Sequence, residues 1–137
     1  MSKVQLNNIW KIFGPSPKHV FSQMKESQSR AEILAQTGHV VAVRDVTLNI
    51  GEGEIFVVMG LSGSGKSTLI RCLSRLIEPT AGQVMINGRD VVNMGESELR
   101  ELRRKTVSMV FQRFGLFPHR RVIDNVGYGL EVQGLSA

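Results

Sequence analysis

The stretch GLSGSGKST, Gly60 to Thr68, follows the apolar run IFVVM (55–59) and precedes LIRCLSRLI (69–77). An apolar run of strand length, a small-residue loop and then apolar residues at helical spacing predict strand, tight turn and helix, with the loop at the strand's C-terminal end. Apart from the lysine, only Leu61 is bulky, so this is a backbone that something must approach closely. The spacing Gly60-x-x-x-x-Gly65-Lys66-Ser67 is that of a Walker A loop, whose successive N–H groups curl around phosphates. Glycine supplies the left-handed conformations and the close approach. A helix expected to begin near Ser64 turns its unpaired N–H groups and the positive end of its dipole toward the same anion. Gly60, Leu61, Ser62, Gly63, Ser64, Gly65, Lys66, Ser67 and Thr68 would then form the cradle, with the Lys66 ammonium on the β and γ phosphates and the Ser67 hydroxyl on Mg²⁺. The expected ligand is a nucleoside triphosphate, but the loop alone names no reaction, since GTPases, kinases and motor or transport ATPases share it.

The chain has 137 residues, of which 42% are hydrophobic and 21% charged, ordinary values for one soluble domain or part of one. No apolar run comes near the ~20 residues a membrane-spanning helix needs, and MSKVQLNNIW at the N-terminus lacks the apolar core of a secretory signal. These features predict a cytosolic chain. Cys72 has no second cysteine to pair with and lies among apolar residues of a predicted helix, so it reads as a buried structural thiol. The net charge of +5 is concentrated in RELRRK (100–105) and at Arg113, Arg120 and Arg121. Only 6% of residues are aromatic and none interleave with this cluster, which favours a solvated helix face over a nucleic-acid platform.

Outward from the loop, VQLNNIWKIF (4–13) reads as a strand, and residues 14–39 as a helical insertion in which Ser29 and Glu32 form a capping box and Thr37-Gly38 close the helix. Residues from Val40 to Ile50 alternate as a second strand, and GEGE turns the chain into EIFVVM. Beyond the loop helix, EPTAG marks a turn, QVMING a short strand, ESELRELRR a helix, and TVSMVF (106–111) a second buried strand ending at Gln112. RFGLFPHR is a loop, and VIDNVGYGLEVQ a helix weakened by Gly127 and Gly129. The histidines at 19, 39 and 119 are expected in loops or at the surface.

This order resembles the nucleotide-binding subunit of an ATP-binding cassette (ABC) transporter across essentially the whole chain. GLSGSGKST, IEPTAGQVMINGRD and SMVFQRFGLFPHRRVIDNV carry the likeness. Within the family it narrows to the glycine betaine and proline (quaternary amine) importers, to which EIFVVMGLSGSGKSTLIRCLSRLIEPTAG, LRELRRK and FGLFPHRRVIDNVGYGLEVQG are similar, as is the 14–39 insertion. Gly127 stands where alanine is commoner and Gly95 where a capping serine is usual.

The resemblance implies an α/β P-loop NTPase fold with a RecA-like core and an antiparallel β subdomain. It also implies that Phe13 stacks on adenine, ahead of Trp10, which lies farther from the family's aromatic position. Gln112 would be the Q-loop glutamine, completing the Mg²⁺ shell or holding the attacking water. Lys66 and Gln112 would thus serve catalysis, and Ser67 and Gln112 the metal. Implied partners are a transmembrane permease subunit, a second copy in a head-to-tail dimer and, indirectly, a substrate-binding protein, with no nucleic acid. The implied location is peripheral, on the cytoplasmic side of the plasma (inner) membrane.

The family's signature motif, Walker B carboxylates and switch histidine lie C-terminal to the Q-loop helix, and none occurs in residues 113–137. Asp124 and Glu131 follow no apolar strand. Residues 1–137 are therefore expected to be the N-terminal portion of one nucleotide-binding domain, truncated before the signature motif and Walker B, with the Q-loop and the start of the helical subdomain in 112–137. Alone they are expected to bind ATP without hydrolysing it. The competing readings are a P-loop small-molecule kinase, which would place phosphate on a small molecule, and a non-hydrolysing nucleotide-binding fragment.

Overall fold

Strand β1 (Ser2–Phe13) is the axis on which the N-terminal half is built. In the computed structural model, which describes residues 2–112 and 115–135, it lies between two antiparallel partners. On one side β2 (Val40–Gly51) runs from Ser2↔Gly51 to Phe13↔Val40, and on the other β3 (Ala81–Ile86) runs from Val4↔Ile86 to Trp10↔Ala81. The short β4 (Arg89–Asp90) completes the sheet in the order β2-β1-β3-β4. Asn87 and Gly88, both at positive φ (51° and 74°), form the two-residue link from β3 to β4, the geometry whose twist suits a hairpin.

The fully buried positions of β1 are Leu6, Ile9 and Ile12, spaced by three where a regular strand repeats by two. In the β1–β2 register the extra residue between Leu6 and Ile9 lies on β1 and moves the residues that follow to the other face, whereas the irregularity between Lys11 and Ile12 places its extra residue on β2, so Trp10 and Ile12 stay opposite Lys11 and Phe13. At the first, Asn8 and Asp45 both take left-handed φ (49° and 48°), and the Asn8 amide donates to Asp45 Oδ1 at 2.8 Å. This bulge thus lets one strand serve two faces.

On one of those faces sits the insertion. Helix α1 (Pro17–Gln23) begins with proline, and α2 (Arg30–Thr37) carries the expected capping box: Glu32 N–H donates to Ser29 Oγ at 3.2 Å and Ser29 N–H to Glu32 Oε2 at 2.7 Å. Gly38, at φ 70°, ends the helix. Val20 and Ile33 pack with Ile12 and Val41, and Trp10, Phe21 and Met24 close the edge of this cluster. Trp10 meets Phe21 edge-on at 5.4 Å, while the Arg44 guanidinium lies 5.6 Å from the Trp10 ring centre and donates to the Gln28 carbonyl at 2.7 Å.

Helix α3 (Lys66–Leu73) buries Leu69 and Cys72, as expected of the thiol, whereas Ile70 on the same helix and Leu76 beyond it are about half exposed. Two expected strands are absent. Neither EIFVVM (54–59) nor the 107–111 segment joins a ladder among the described residues, and Ile55 is 92% and Val110 97% exposed. A strand exists only beside a partner, and neither segment pairs with an edge of the β2-β1-β3-β4 sheet.

The chain divides into two units, residues 1–94 and 95–137. In the second, α4 (Glu96–Lys105) buries Leu99 and Leu102, and its Gly95 N–H donates to Glu98 Oε2 at 3.1 Å in place of a side-chain cap. Helix α5 (Val122–Val132) is tied to the loop before it by Asn125, whose Oδ1 accepts the Phe117 N–H at 2.7 Å and whose amide donates to the Phe117 carbonyl at 3.2 Å. Arg120 pairs with Glu131 at 2.6 Å and Arg121 with Asp124 at 3.0 Å, so two members of the basic cluster are neutralised locally. Arg113 lies outside the described residues. No helix among those described is long and apolar enough to cross a membrane.

Candidate phosphate site

The loop from Gly60 to Gly65 is set against β2 by a contact that only glycine permits. Gly65 caps α3 at φ 97° and ψ 2°, in the left-handed region. A Cβ built there would overlap the Ala42 carbonyl oxygen and stand 3.2 Å from the carbonyl carbon. The loop backbone therefore lies directly on the β2 backbone. Gly63, at φ 79°, has the same kind of conformation but open space around it, so its glycine answers to backbone shape alone.

Helix α3 starts at Lys66, two residues later than the sequence pattern predicted, because Gly65 takes the capping position. No side chain caps it, so its first-turn N–H groups face outward without an intrahelical partner. Ser67 is exposed in that first turn. The Lys66 ammonium folds back over the loop and donates to the Gly60 and Leu61 carbonyls, each at 2.7 Å, with Ser64 Oγ at 3.4 Å. One positive charge and a set of uncapped backbone donors thus converge on one concave turn. Such a turn can bind a polyphosphate by charge-assisted hydrogen bonds, with glycine leaving room for close approach. A neighbouring cavity of about 440 Å³ is walled chiefly by apolar residues such as Val43, Val46 and Phe56, with Ser64–Lys66 and the guanidinium groups of Arg30 and Arg44 as the donors on its wall.

Phe13 and Trp10 fall on different faces of β1. Trp10 belongs to the insertion cluster, held by Phe21 and Arg44. Lys11 is paired with Val43, the β2 residue that lines the cavity beside the loop, and its ammonium lies 4.9 Å from the centre of the Phe13 ring. Lys11 also donates to the Glu78 carbonyl at 2.9 Å, which fixes the ammonium under the ring. Phe13 is 40% exposed, enough for one ring face to meet a flat partner. Gln112 belongs to the second unit and is exposed after the 107–111 segment.

Two features escaped the sequence reading. Lys11 was unmarked, although its spacing of two from Phe13 on a strand would have placed both on one face. His39, expected in a loop or at the surface, is 7% exposed and hydrogen-bonded at both ring nitrogens.

Residues 43–136 match the family described as ABC transporter. The chain is 51% identical over 135 residues to the glycine betaine/proline betaine transport system ATP-binding protein ProV of Escherichia coli (strain K12), a match covering 98% of this chain and 34% of that protein. It is 49% identical over 136 residues to the glycine betaine/carnitine transport ATP-binding protein GbuA of Listeria monocytogenes serotype 1/2a (strain 10403S), covering 99% of this chain and 34% of that one. The chain thus spans about a third of the length of these relatives. Among solved structures, the ATP-binding cassette MJ0796, in a dimeric post-hydrolysis state bound to ADP and Pi, superposes with a TM-score of 0.74 at 32% identity, covering 98% of this chain and 49% of that one.

Proposed function

This chain belongs to the ABC transporter family, and from that premise we propose that it is part of the ATP-binding subunit of an importer for glycine betaine and related compatible solutes. The observation that carries the reading is the turn itself: Gly65 seated on the Ala42 backbone, the Lys66 ammonium over the loop and the uncapped start of α3. The first-turn amides and Lys66 hold the β and γ phosphates. Phe13 receives the adenine, a role that suits its half-exposed ring better than it suits Trp10, which is engaged in the insertion core. Ser67 would hold Mg²⁺, which when bound neutralises phosphate charge during transfer to water, and Gln112 is assigned the Q-loop role, including a place in the metal shell, on the resemblance alone.

Hydrolysis in the full-length polypeptide breaks the bond between the γ phosphorus and the β–γ bridging oxygen, and water supplies the new P–O bond. The residues named here position and neutralise, which is most of what phosphoryl transfer asks of a protein. Residues 1–137 alone bind ATP without useful turnover. The domain reading follows the same lines: one N-terminal portion of a nucleotide-binding domain, with 14–39 as an insertion and 112–137 as Q-loop and first helix of the helical subdomain. The proposed partners are a permease subunit, a second copy head to tail and, through the permease, a substrate-binding protein, at the cytoplasmic face of the membrane.

The test is reconstitution of the full-length polypeptide with its permease in liposomes, following labelled glycine betaine and phosphate release together. ATP-dependent uptake with phosphate released into water is expected. Phosphate appearing on a small molecule would instead establish a kinase, and ATP hydrolysis with uptake of some other solute would overturn the solute assignment.

A further inference from the structure

The 14–39 insertion leaves the sheet after Phe13 and rejoins it at Val40, so its two ends stand side by side beyond the last ladder pair, Phe13↔Val40. We infer that His39 is a positioning residue for the base end of the nucleotide site: its imidazole closes the neck of the insertion and so holds Phe13 in place. The inference rests on the reading of Phe13 as the base platform.

The His39 ring is almost fully buried in that neck. Its Nε2 accepts the Ser16 N–H at 3.3 Å, just ahead of α1, and its Nδ1 lies 2.8 Å from the Thr37 carbonyl oxygen at the end of α2. A carbonyl oxygen can only accept, so Nδ1 carries the proton and Nε2 is free to accept, and one neutral tautomer satisfies both contacts. The ring therefore ties the start of the first helix to the end of the second. Its flank lies on Gly14, where a Cβ would stand 2.6 Å from Nε2 and 2.7 Å from Cγ. Around it, the His39 N–H donates to Thr37 Oγ1 at 3.2 Å, and that hydroxyl donates to the Ile33 carbonyl at 2.6 Å.

Gly14 follows Phe13 directly, and Val40 follows His39 directly, so the clamp joins the residues flanking the terminal rung. A terminal rung without further pairing frays. With the neck shut, Phe13 is instead fixed from both strands, while Lys11 orients its ring from below. The hydrogen bonds of His39 go to Ser16 and Thr37 and not to Gly60–Thr68, so its influence should fall on the base end of a nucleotide alone.

The experiment is equilibrium binding of ATP and of inorganic tripolyphosphate, each with Mg²⁺, to the full-length polypeptide and its variants. Phe13→Ala should weaken ATP about five-fold or more, the scale of one aromatic–base stack, and leave tripolyphosphate unchanged. His39→Ala should weaken ATP about three- to ten-fold, the scale of one buried hydrogen bond lost, again without touching tripolyphosphate. His39→Gln, whose amide oxygen can accept from Ser16, should stay within about two-fold of the parent. In the Phe13→Ala background His39→Ala should add nothing. Should His39→Ala fail to fold, His39→Asn, which keeps a donor for Thr37 but loses the reach to Ser16, should show the same ATP-selective loss. Equal loss of both ligands, or no rescue by glutamine, overturns the positioning role. An ATP-selective effect of Phe13→Ala with none from the His39 variants overturns the inference alone, whereas no selectivity in Phe13→Ala removes the platform reading and the inference with it.

Discussion

Replacing Gly65 by alanine should disable the loop far more than the same change at Gly63, and the reason is visible in the backbone. Both glycines have left-handed φ, 97° and 79°, so a Cβ at either costs about 1–2 kcal/mol in conformational strain. At Gly63 the cost stops there, because nothing lies within 4 Å of the added carbon. At Gly65 the carbon overlaps the Ala42 carbonyl oxygen, a backbone atom of a paired strand that cannot rotate aside. Relieving such an overlap adds about 1–3 kcal/mol. The combined cost, about 2–5 kcal/mol, corresponds to an ATP affinity lower by about 30-fold or more, against about 5- to 30-fold for Gly63→Ala. Titration of the two variants with ATP·Mg²⁺, alongside their melting temperatures, separates the effects. Equal losses at the two positions would show that close approach to β2 does not shape the loop.

Three further outcomes follow from burial and exposure. Burial pushes the Cys72 thiol up to about 11 from its ordinary 9.0, with Lys11 opposing, so a thiol reagent at neutral pH should label it only on unfolding. Because the folded value is the higher one, the native state holds the proton more tightly: this contribution is complete below about pH 9 and is lost as pH rises toward about 11, which denaturant titrations across that range in wild type and Cys72→Ala would register. Isolated residues 1–137 should self-associate, since Ile55 (92% exposed), Met59 (86%) and Val110 (97%) present apolar surface on segments without ladder partners. Sedimentation velocity should show species growing with concentration, and a monomer with one cooperative melt well above about 50 °C would contradict this.

Where chemistry is local, the sequence could be read directly. The Ser29–Glu32 box closes within three residues, Gly38 ends its helix by its own conformation, and the Walker A spacing encodes a turn whose shape depends on its own glycines. The antiparallel β1 was legible from its β-branched and aromatic residues, but its bulges were not. Nothing in LNNIW announces that Asn8 will take positive φ; that is decided across the ladder by Asp45 and Thr47. The EIFVVM and TVSMVF runs show the opposite limit. Their apolar residues specify that something should cover them, whereas strand formation depends on a neighbour that no local pattern supplies. His39 was misplaced for a related reason: a histidine beside glycine reads as loop, and its burial arises from Gly14 and Ser16, which the chain returns to only after two helices. For the site, the glycine turn was legible from its spacing but the helix start at Lys66 was not, Phe13 entered only by resemblance, and Lys11 became meaningful once the face it shares with Phe13 was known.

The claim that Gly60–Thr68 binds the triphosphate of ATP is tested most directly by calorimetric titration of the full-length polypeptide and its Lys66→Ala variant with ATP·Mg²⁺. Lys66 places its only charge over the loop, 2.7 Å from two of its carbonyls. Removing that charge deletes a contact worth about 1.5–3 kcal/mol, so affinity should fall by about 10- to 150-fold while the melting temperature without nucleotide stays the same. An unchanged affinity in a folded Lys66→Ala protein would place the nucleotide elsewhere and contradict the account.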